Sequence, residues 1–227
     1  AINLVLEAME KSCQYYPYEA QVIEEAKASG KLDLFIAALK NRIQAEPNKT
    51  SLYLILAECY EKQGKYKLEI ECYEKVESLL PPQIDFYKTM ERLYGLTNNP
   101  QKRIWCYEKI IELEPENIRY YTDLAYEYLQ IWKKEEAIKI IERLLVVNKE
   151  INDPGDLRSI AEIYEGFGMY KEAIPFYQKA IERDVFNLPY LKLRLGGCYQ
   201  KAGDFVKAKK MLEDVIMTGD QYEKQSA

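Results

Sequence analysis

Histidine is missing from all 227 residues. That removes Cys2His2 zinc sites and every catalytic triad built on imidazole. The five cysteines, Cys13, Cys59, Cys72, Cys106 and Cys198, are odd in number and include no CxxC pair. They cannot all be bridged, and unpaired thiols suit a reducing compartment. A cytoplasmic setting is expected on that ground. A periplasmic or envelope setting would follow if a signal segment had been removed before Ala1. Glycine is sparse, at ten residues. The glycine-bearing stretches GLTNNPQK and GGCYQKAG lack both the phosphate-loop spacing and a preceding strand. No apolar run approaches the length of a membrane span. Positive charge is not in excess: the net charge is −5. Nucleic-acid binders usually carry a basic stripe, so RNA and DNA are disfavoured as partners. Carboxylate pairs such as Glu24-Glu25 and Glu135-Glu136 are abundant, but solvated helix faces explain them. No cofactor, metal site or catalytic residue is expected, and the chain reads as a non-enzyme.

What is present is periodicity. In Thr50 to Gln83, Tyr53, Leu56, Ala57 and Tyr60 recur at i, i+3, i+4 and i+7, one face of a helix. After Gly64, residues Ile70, Tyr73 and Val76 mark a second helical face, and Pro81-Pro82 closes the unit. The unit then copies itself. With Thr50 as position 1, position 11 reads Ala26, Tyr60, Tyr94, Tyr128, Tyr164 and Tyr199. Position 7 reads Val22, Leu56, Met90, Leu124, Ile160 and Leu195. Gly30, Gly64, Gly168 and Gly203 hold position 15, and Pro47, Pro81 and Pro115 close three units. Thirteen of the twenty tyrosines fall on positions 4, 11, 17 and 24, so packing accounts for them better than ligand binding.

These residues resemble the tetratricopeptide repeat, a helix–turn–helix unit of about 34 residues. The resemblance covers about nine-tenths of the chain and implies an all-α fold, a right-handed superhelix of antiparallel helix pairs. The repeats run 16–49, 50–83, 84–117, 118–153, 154–188 and 189–222, in a single domain with a tail at 223–227. Residues 1–15 read as an orphan helix of a preceding repeat or a capping helix, consistent with a piece of a longer protein. Gly219 reads as a stop for the last helix, and Pro175 falls in about the first turn of its helix.

The departures from the pattern are informative. Phe35 and Arg42 replace small residues at positions 20 and 27 of repeat one, and Glu69 stands at position 20 of repeat two. Repeat three has Glu91 at position 8, Arg103 at position 20 and Asn98-Asn99-Pro100 in place of the glycine turn. Positions 8 and 20 face each other, so Glu91 and Arg103 are expected to form an ion pair. Repeat four carries Trp132 where glycine is expected. Trp105 and Trp132 read as packing residues. The shared positions of Cys59 with Cys198, and of Cys72 with Cys106, mark them as small buried hydrophobes.

The resemblance also implies the job: a scaffold or adaptor whose first helices line a groove that binds a peptide or protein segment. The candidate groove residues are Lys88, Arg92, Arg119, Thr122, Tyr126, Arg158 and Arg194, with Asp123 and Glu162 between them. Arginine suits bidentate carboxylate recognition, so an acidic partner is expected. The carboxylate clamp of chaperone-tail-binding members needs Lys and Asn at positions 5 and 9, Asn at 6, then Lys and Arg at 2 and 6. Here those positions hold Lys88, Arg92, Asp123, Gly155 and Ser159, so that specialisation is not expected. The alternatives are a helical-repeat RNA binder and a regulatory arm of a larger enzyme. Apolar terminal faces such as Met211, Leu212 and Val215 suggest self-association through an end.

Overall fold

The computed structural model describes residues 16–226 apart from 82, 149 and 185, with side chains described within 20–217. The orphan or capping helix expected over 1–15, and Cys13 with it, lie outside the described residues. Among the described residues twelve α-helices follow one another: α1 (Tyr16–Ala28), α2 (Leu32–Ala45), α3 (Thr50–Lys62), α4 (Tyr66–Leu79), α5 (Ile84–Leu96), α6 (Pro100–Leu113), α7 (Ile118–Gln130), α8 (Lys134–Val147), α9 (Pro154–Gly166), α10 (Tyr170–Arg183), α11 (Leu188–Lys201) and α12 (Phe205–Ser226). The fold class is all-α, built of antiparallel helix pairs. Contacts divide the chain into two compact units, 1–106 and 107–227, with the division inside α6.

Each first helix ends in the same way. Gly30, Gly64, Asn98, Trp132, Gly168 and Gly203 all have positive φ, between 53° and 88°. In each case this residue's N–H donates to the carbonyl three residues back, and the next N–H donates to the carbonyl of position 11. In repeat two these bonds are Gly64 to Glu61 at 2.9 Å and Lys65 to Tyr60 at 2.9 Å. The pair of bonds satisfies carbonyls that the helix end would leave bare. Asn98 adopts this conformation as the sequence suggests, because its short polar side chain tolerates it. Trp132 adopts it too, at φ 57°, with its indole 77% exposed. The expectation that Trp132 packs is therefore corrected, because the left-handed turn aims the ring at solvent. Trp105, by contrast, packs edge-on to Tyr87 with ring centres 5.5 Å apart. A left-handed non-glycine residue costs about 1 kcal/mol or more. Trp132→Gly should therefore raise stability by about 0.5–1 kcal/mol after glycine's larger unfolded-state entropy is counted. Trp132→Val should lower it, and urea midpoints of the two variants would show the opposite signs.

In the first unit, α1 packs on α2 and α3, and α4 packs on both α3 and α5. Its core joins Ile23, Phe35, Leu39, Leu52, Ile55, Cys59 and Tyr60, with a second cluster around Met90, Leu93, Tyr94 and Cys106. In the second unit, α7 packs on α8 and α9, α10 bridges α9 and α11, and α12 pairs with α11. Tyr121, Leu124, Ile160, Tyr177 and Leu191 are fully or almost fully buried there. Cys59, Cys72, Cys106 and Cys198 are free and buried, as their register implies. Burial pushes each thiol up to about 12. Two expected boundaries are corrected. Helix α12 runs through Gly219 to Ser226, since one glycine weakens a helix by about 1 kcal/mol without ending it. Pro175 lies inside α10 rather than in its first turn, and removes one backbone hydrogen bond there.

The position-11 tyrosines do more than fill space. Tyr60, Tyr94, Tyr164 and Tyr199 are buried, while Tyr128 is only half-buried, short of the expected burial. Each meets position 25 of the preceding repeat. The Tyr94 and Tyr128 hydroxyls donate to Glu74 and Glu108, both at 3.2 Å, and Gln178 donates to the Tyr199 hydroxyl at 2.9 Å. Glu142 stands opposite Tyr164, pushing that phenol upward alongside the larger effect of burial. At the first junction the position-25 residue is instead a cation, Lys40, over the Tyr60 ring.

The Glu91–Arg103 pair expected from register is present, with Arg103 Nε donating to Glu91 Oε1 at 2.5 Å. Gly95 leaves room for it: a Cβ there would lie 3.4 Å from Arg103 Nε. The side chains are 18% and 32% exposed, so the pair is half-buried rather than fully enclosed. Its coupling should fall between that of surface and buried pairs, at about 1–2 kcal/mol. A double-mutant cycle with Glu91→Ala and Arg103→Ala measures it, and strict additivity would remove the pairing as a source of stability.

Candidate functional site

The expected groove residues are distributed over both units. In the first unit, Lys88 and Arg92 lie one turn apart on α5, where they share a face. Lys88 is half-buried. Arg92, 45% exposed, turns inward. Its Nη2 donates to Glu61 on α3 at 3.3 Å and to Glu69 on α4 at 3.4 Å. Glu69 itself is 1% exposed, and its Oε2 has no hydrogen-bond partner among the described residues. Burial, then Glu61, push the Glu69 carboxyl up to about 7 against the pull of Arg92. Arg92 is therefore committed to two carboxylates of its own unit. Reversing its charge would set three acidic groups against each other, so as a groove cation it is already engaged within its own unit.

In the second unit the candidates lie on α7, α9 and α11. Arg119 opens α7, is 82% exposed, and is 3.7 Å from Asp123 one turn on. Thr122 is corrected: it is 6% exposed, and its hydroxyl donates to the Arg119 carbonyl at 2.9 Å. A threonine inside a helix often returns its hydroxyl to its own backbone, so the donor is already committed and burial withdraws the side chain from the surface. Tyr126, one turn further, is 52% exposed. Arg158 on α9 is 3.7 Å from Glu162 on the same helix. Glu162 in turn accepts from the Tyr190 hydroxyl of α11 at 2.9 Å. Arg194 on α11 is held more tightly, 2.9 Å from Glu165 of α9, and Glu165 also accepts from the buried Tyr177 hydroxyl at 2.6 Å. Tyr190, Leu193 and the open side of Gly197, where a Cβ would meet nothing within 4 Å, complete this face on α11.

Three arginines and three carboxylates thus alternate along the face. The i,i+4 spacing of Arg119–Asp123 and Arg158–Glu162 is readable from sequence. The Arg194–Glu165 bridge and the role of Tyr190 are not, because they join different repeats. Long, exposed i,i+4 pairs contribute only about 0.3–0.5 kcal/mol, so Arg119 and Arg158 can exchange partners cheaply. Arg194, fixed by a short bridge, cannot. No group of three or more His, Cys, Asp or Glu positioned for a metal occurs among the described residues. No described helix is long and apolar enough to cross a membrane.

Tetratricopeptide repeat models match residues 50–81, 159–184 and 190–216. The chain thus carries tetratricopeptide repeats. The three matched segments are repeats two, five and six, all with glycine at the turn. The unmatched repeats carry Phe35 and Arg42, Glu91 and Arg103, or Trp132, yet fold into the same helix pair. No curated protein matches the sequence. Solved structures share the fold. A MamA protein matches with a TM-score of 0.61 at 19% identity, covering 77% of this chain and 94% of its own. The C-terminal part of a TPR repeat-containing protein from Cytophaga hutchinsonii gives 0.61 at 16% identity, over 88% of this chain and 80% of its own. YrrB, described as a TPR protein with an unusual peptide-binding site, gives 0.57 at 18% identity, over 79% and 91%. What these structures share with this chain is the helical-repeat fold.

Proposed function

We propose that this tetratricopeptide-repeat chain is a non-catalytic scaffold that binds a peptide or protein segment along its first helices. In the second unit the contact face comprises Arg119 and Tyr126 on α7, Arg158 on α9, and Tyr190 with Leu193 on α11. The observation that carries this reading is the 52% exposure of Tyr126 on the helix that Arg119 opens, together with the long 3.7 Å same-helix ion pairs of Arg119 and Arg158. Tyrosine offers apolar area with a polar tip, and loosely paired arginines offer charge-assisted bonds at low cost. That YrrB carries a peptide site on the same fold supports this use of it. The segment is acidic: its carboxylates displace Asp123 and Glu162 from their arginines. Lys88 and Arg92 offer a second, more committed pair of cations in the first unit.

The test uses fluorescein-labelled decapeptides, one rich in Glu and Asp with a central Leu, the other with Lys in place of the acids. Anisotropy should rise with the acidic peptide alone, and the response should weaken as salt shortens the Debye length from about 10 Å at 0.1 M to about 3 Å at 1 M. Arg119→Glu/Arg158→Glu should abolish binding while leaving the thermal midpoint nearly unchanged, because both side chains face solvent. Equal binding of the two peptides, or retention by the double variant, would remove this face as the acidic site.

A further inference from the structure

The junction between repeats one and two is the exception in the tyrosine ladder. Elsewhere position 25 is Glu74, Glu108, Glu142 or Gln178, an acceptor or a neutral amide. Here it is Lys40, whose Nζ lies 5.7 Å from the centre of the Tyr60 ring. Lys40 has no carboxylate within ion-pair distance among the described residues. It stands at the rim of a cleft of about 420 Å³ between α2, α3 and α4. Ile43 from α2, Leu56 from α3, and Leu68 and Cys72 from α4 line that cleft. These residues occupy positions 28, 7, 19 and 23, not the first-helix positions of the face described above.

The polar rim narrows what fits. Lys40 meets the Tyr60 hydroxyl and feels Glu71 across the cleft, but no carboxylate among the described residues bonds it directly, so it can still take one. Glu71, exposed on the same cleft, repels a second. An acidic run is therefore disfavoured, whereas a single carboxylate next to apolar bulk is matched at both ends. Gln44 is exposed at the rim with no hydrogen-bond partner among the described residues, and offers a donor and an acceptor to a peptide backbone. The cleft is open, so a chain can continue from it into solvent.

We propose that this cleft captures the C-terminal residue of a partner protein, its aliphatic side chain on Ile43, Leu56 and Leu68 and its carboxylate on Lys40. The site is separate from the first-helix face and does not depend on that reading.

Methyl and amide NMR of the full chain, titrated with the free acid acetyl-Ala-Ala-Leu-Leu, tests it. Saturable shifts should appear at Ile43, Leu56 and Leu68. The C-terminal amide of the same peptide should bind about tenfold more weakly, the usual worth of one charge-assisted bond at a half-open site. Lys40→Met should show the same loss for the acid and none for the amide, and Lys40→Arg should restore the acid. The thermal midpoint of each variant, expected at the wild-type value for an exposed side chain, verifies folding. No saturable shift at these methyls, equal affinity for acid and amide, or an unaffected Lys40→Met would each overturn the proposal. Decanoate saturating the cleft well below the peptide would assign it to a free fatty acid instead, and the partner-terminus reading would fall.

Discussion

Replacing Glu69 with methionine should stabilise the first unit at pH 8 by about 3 kcal/mol, and by far less at pH 4.5. Glu69 sits at position 20, where the helices of a pair approach and a small residue is usual, opposite the fully buried Ala57. Its carboxyl is pushed up to about 7 from an ordinary value near 4.5, mainly by burial. A carboxyl whose folded pKa is raised binds more protons folded than unfolded between those two values. Stability therefore falls as pH rises through that window, is highest below 4.5, and stays low above 7. A shift of that size corresponds to about 3 kcal/mol. Methionine keeps the length of the side chain without the charge, and Arg92 keeps Glu61 and solvent. The informative quantity is the difference between wild type and variant in chemical denaturation from pH 4.5 to 8, since other acids titrate equally in both. A flat difference would mean that the buried carboxylate is compensated by more than Arg92.

The second large effect is expected at Tyr177. This ring is fully buried on α10, and its hydroxyl donates to Glu165, which also receives Arg194. Tyr177→Ala should cost about 3–5 kcal/mol, the range for removing a buried aromatic ring. Tyr177→Phe keeps the ring and removes one charge-assisted bond, at a cost of about 1.5–3 kcal/mol. It also leaves Glu165 anchored by Arg194 alone. Urea denaturation of the two variants separates packing from hydrogen bonding. If Tyr177→Phe matched wild type, Glu165 would be fully served by Arg194.

Much of this molecule was legible in one dimension because its contacts are periodic. Helix pairs, the glycine turns, the Asn98 turn and the Glu91–Arg103 pair all follow from counting positions within a repeat. What failed were properties set by depth or by the neighbouring repeat. Thr122 was counted as groove-lining, but its position alone does not reveal that its hydroxyl folds back onto the helix. Arg92 looked free because Glu61 and Glu69 lie in the preceding repeat. Trp132 looked like packing because an aromatic residue rarely accepts a left-handed backbone. Gly219 looked like a stop because sequence alone does not say whether a helix continues past a glycine. The candidate face was half legible: its charged residues were named, but their partners and the part played by Tyr190 needed three dimensions.

The ladder of position-11 tyrosines bears on how the chain folds. Its bonds join Glu74 to Tyr94, Glu108 to Tyr128 and Gln178 to Tyr199, only 20 or 21 residues apart in sequence. Chains dominated by such local contacts fold quickly, because little loop entropy is lost before a contact rewards it. During synthesis, each hydroxyl can find its partner as soon as the next first helix has formed. A slipped helix would put another residue at position 11 and leave the position-25 side chain without its hydroxyl partner. Register is thus proofread one junction at a time, without waiting for the far end of the chain.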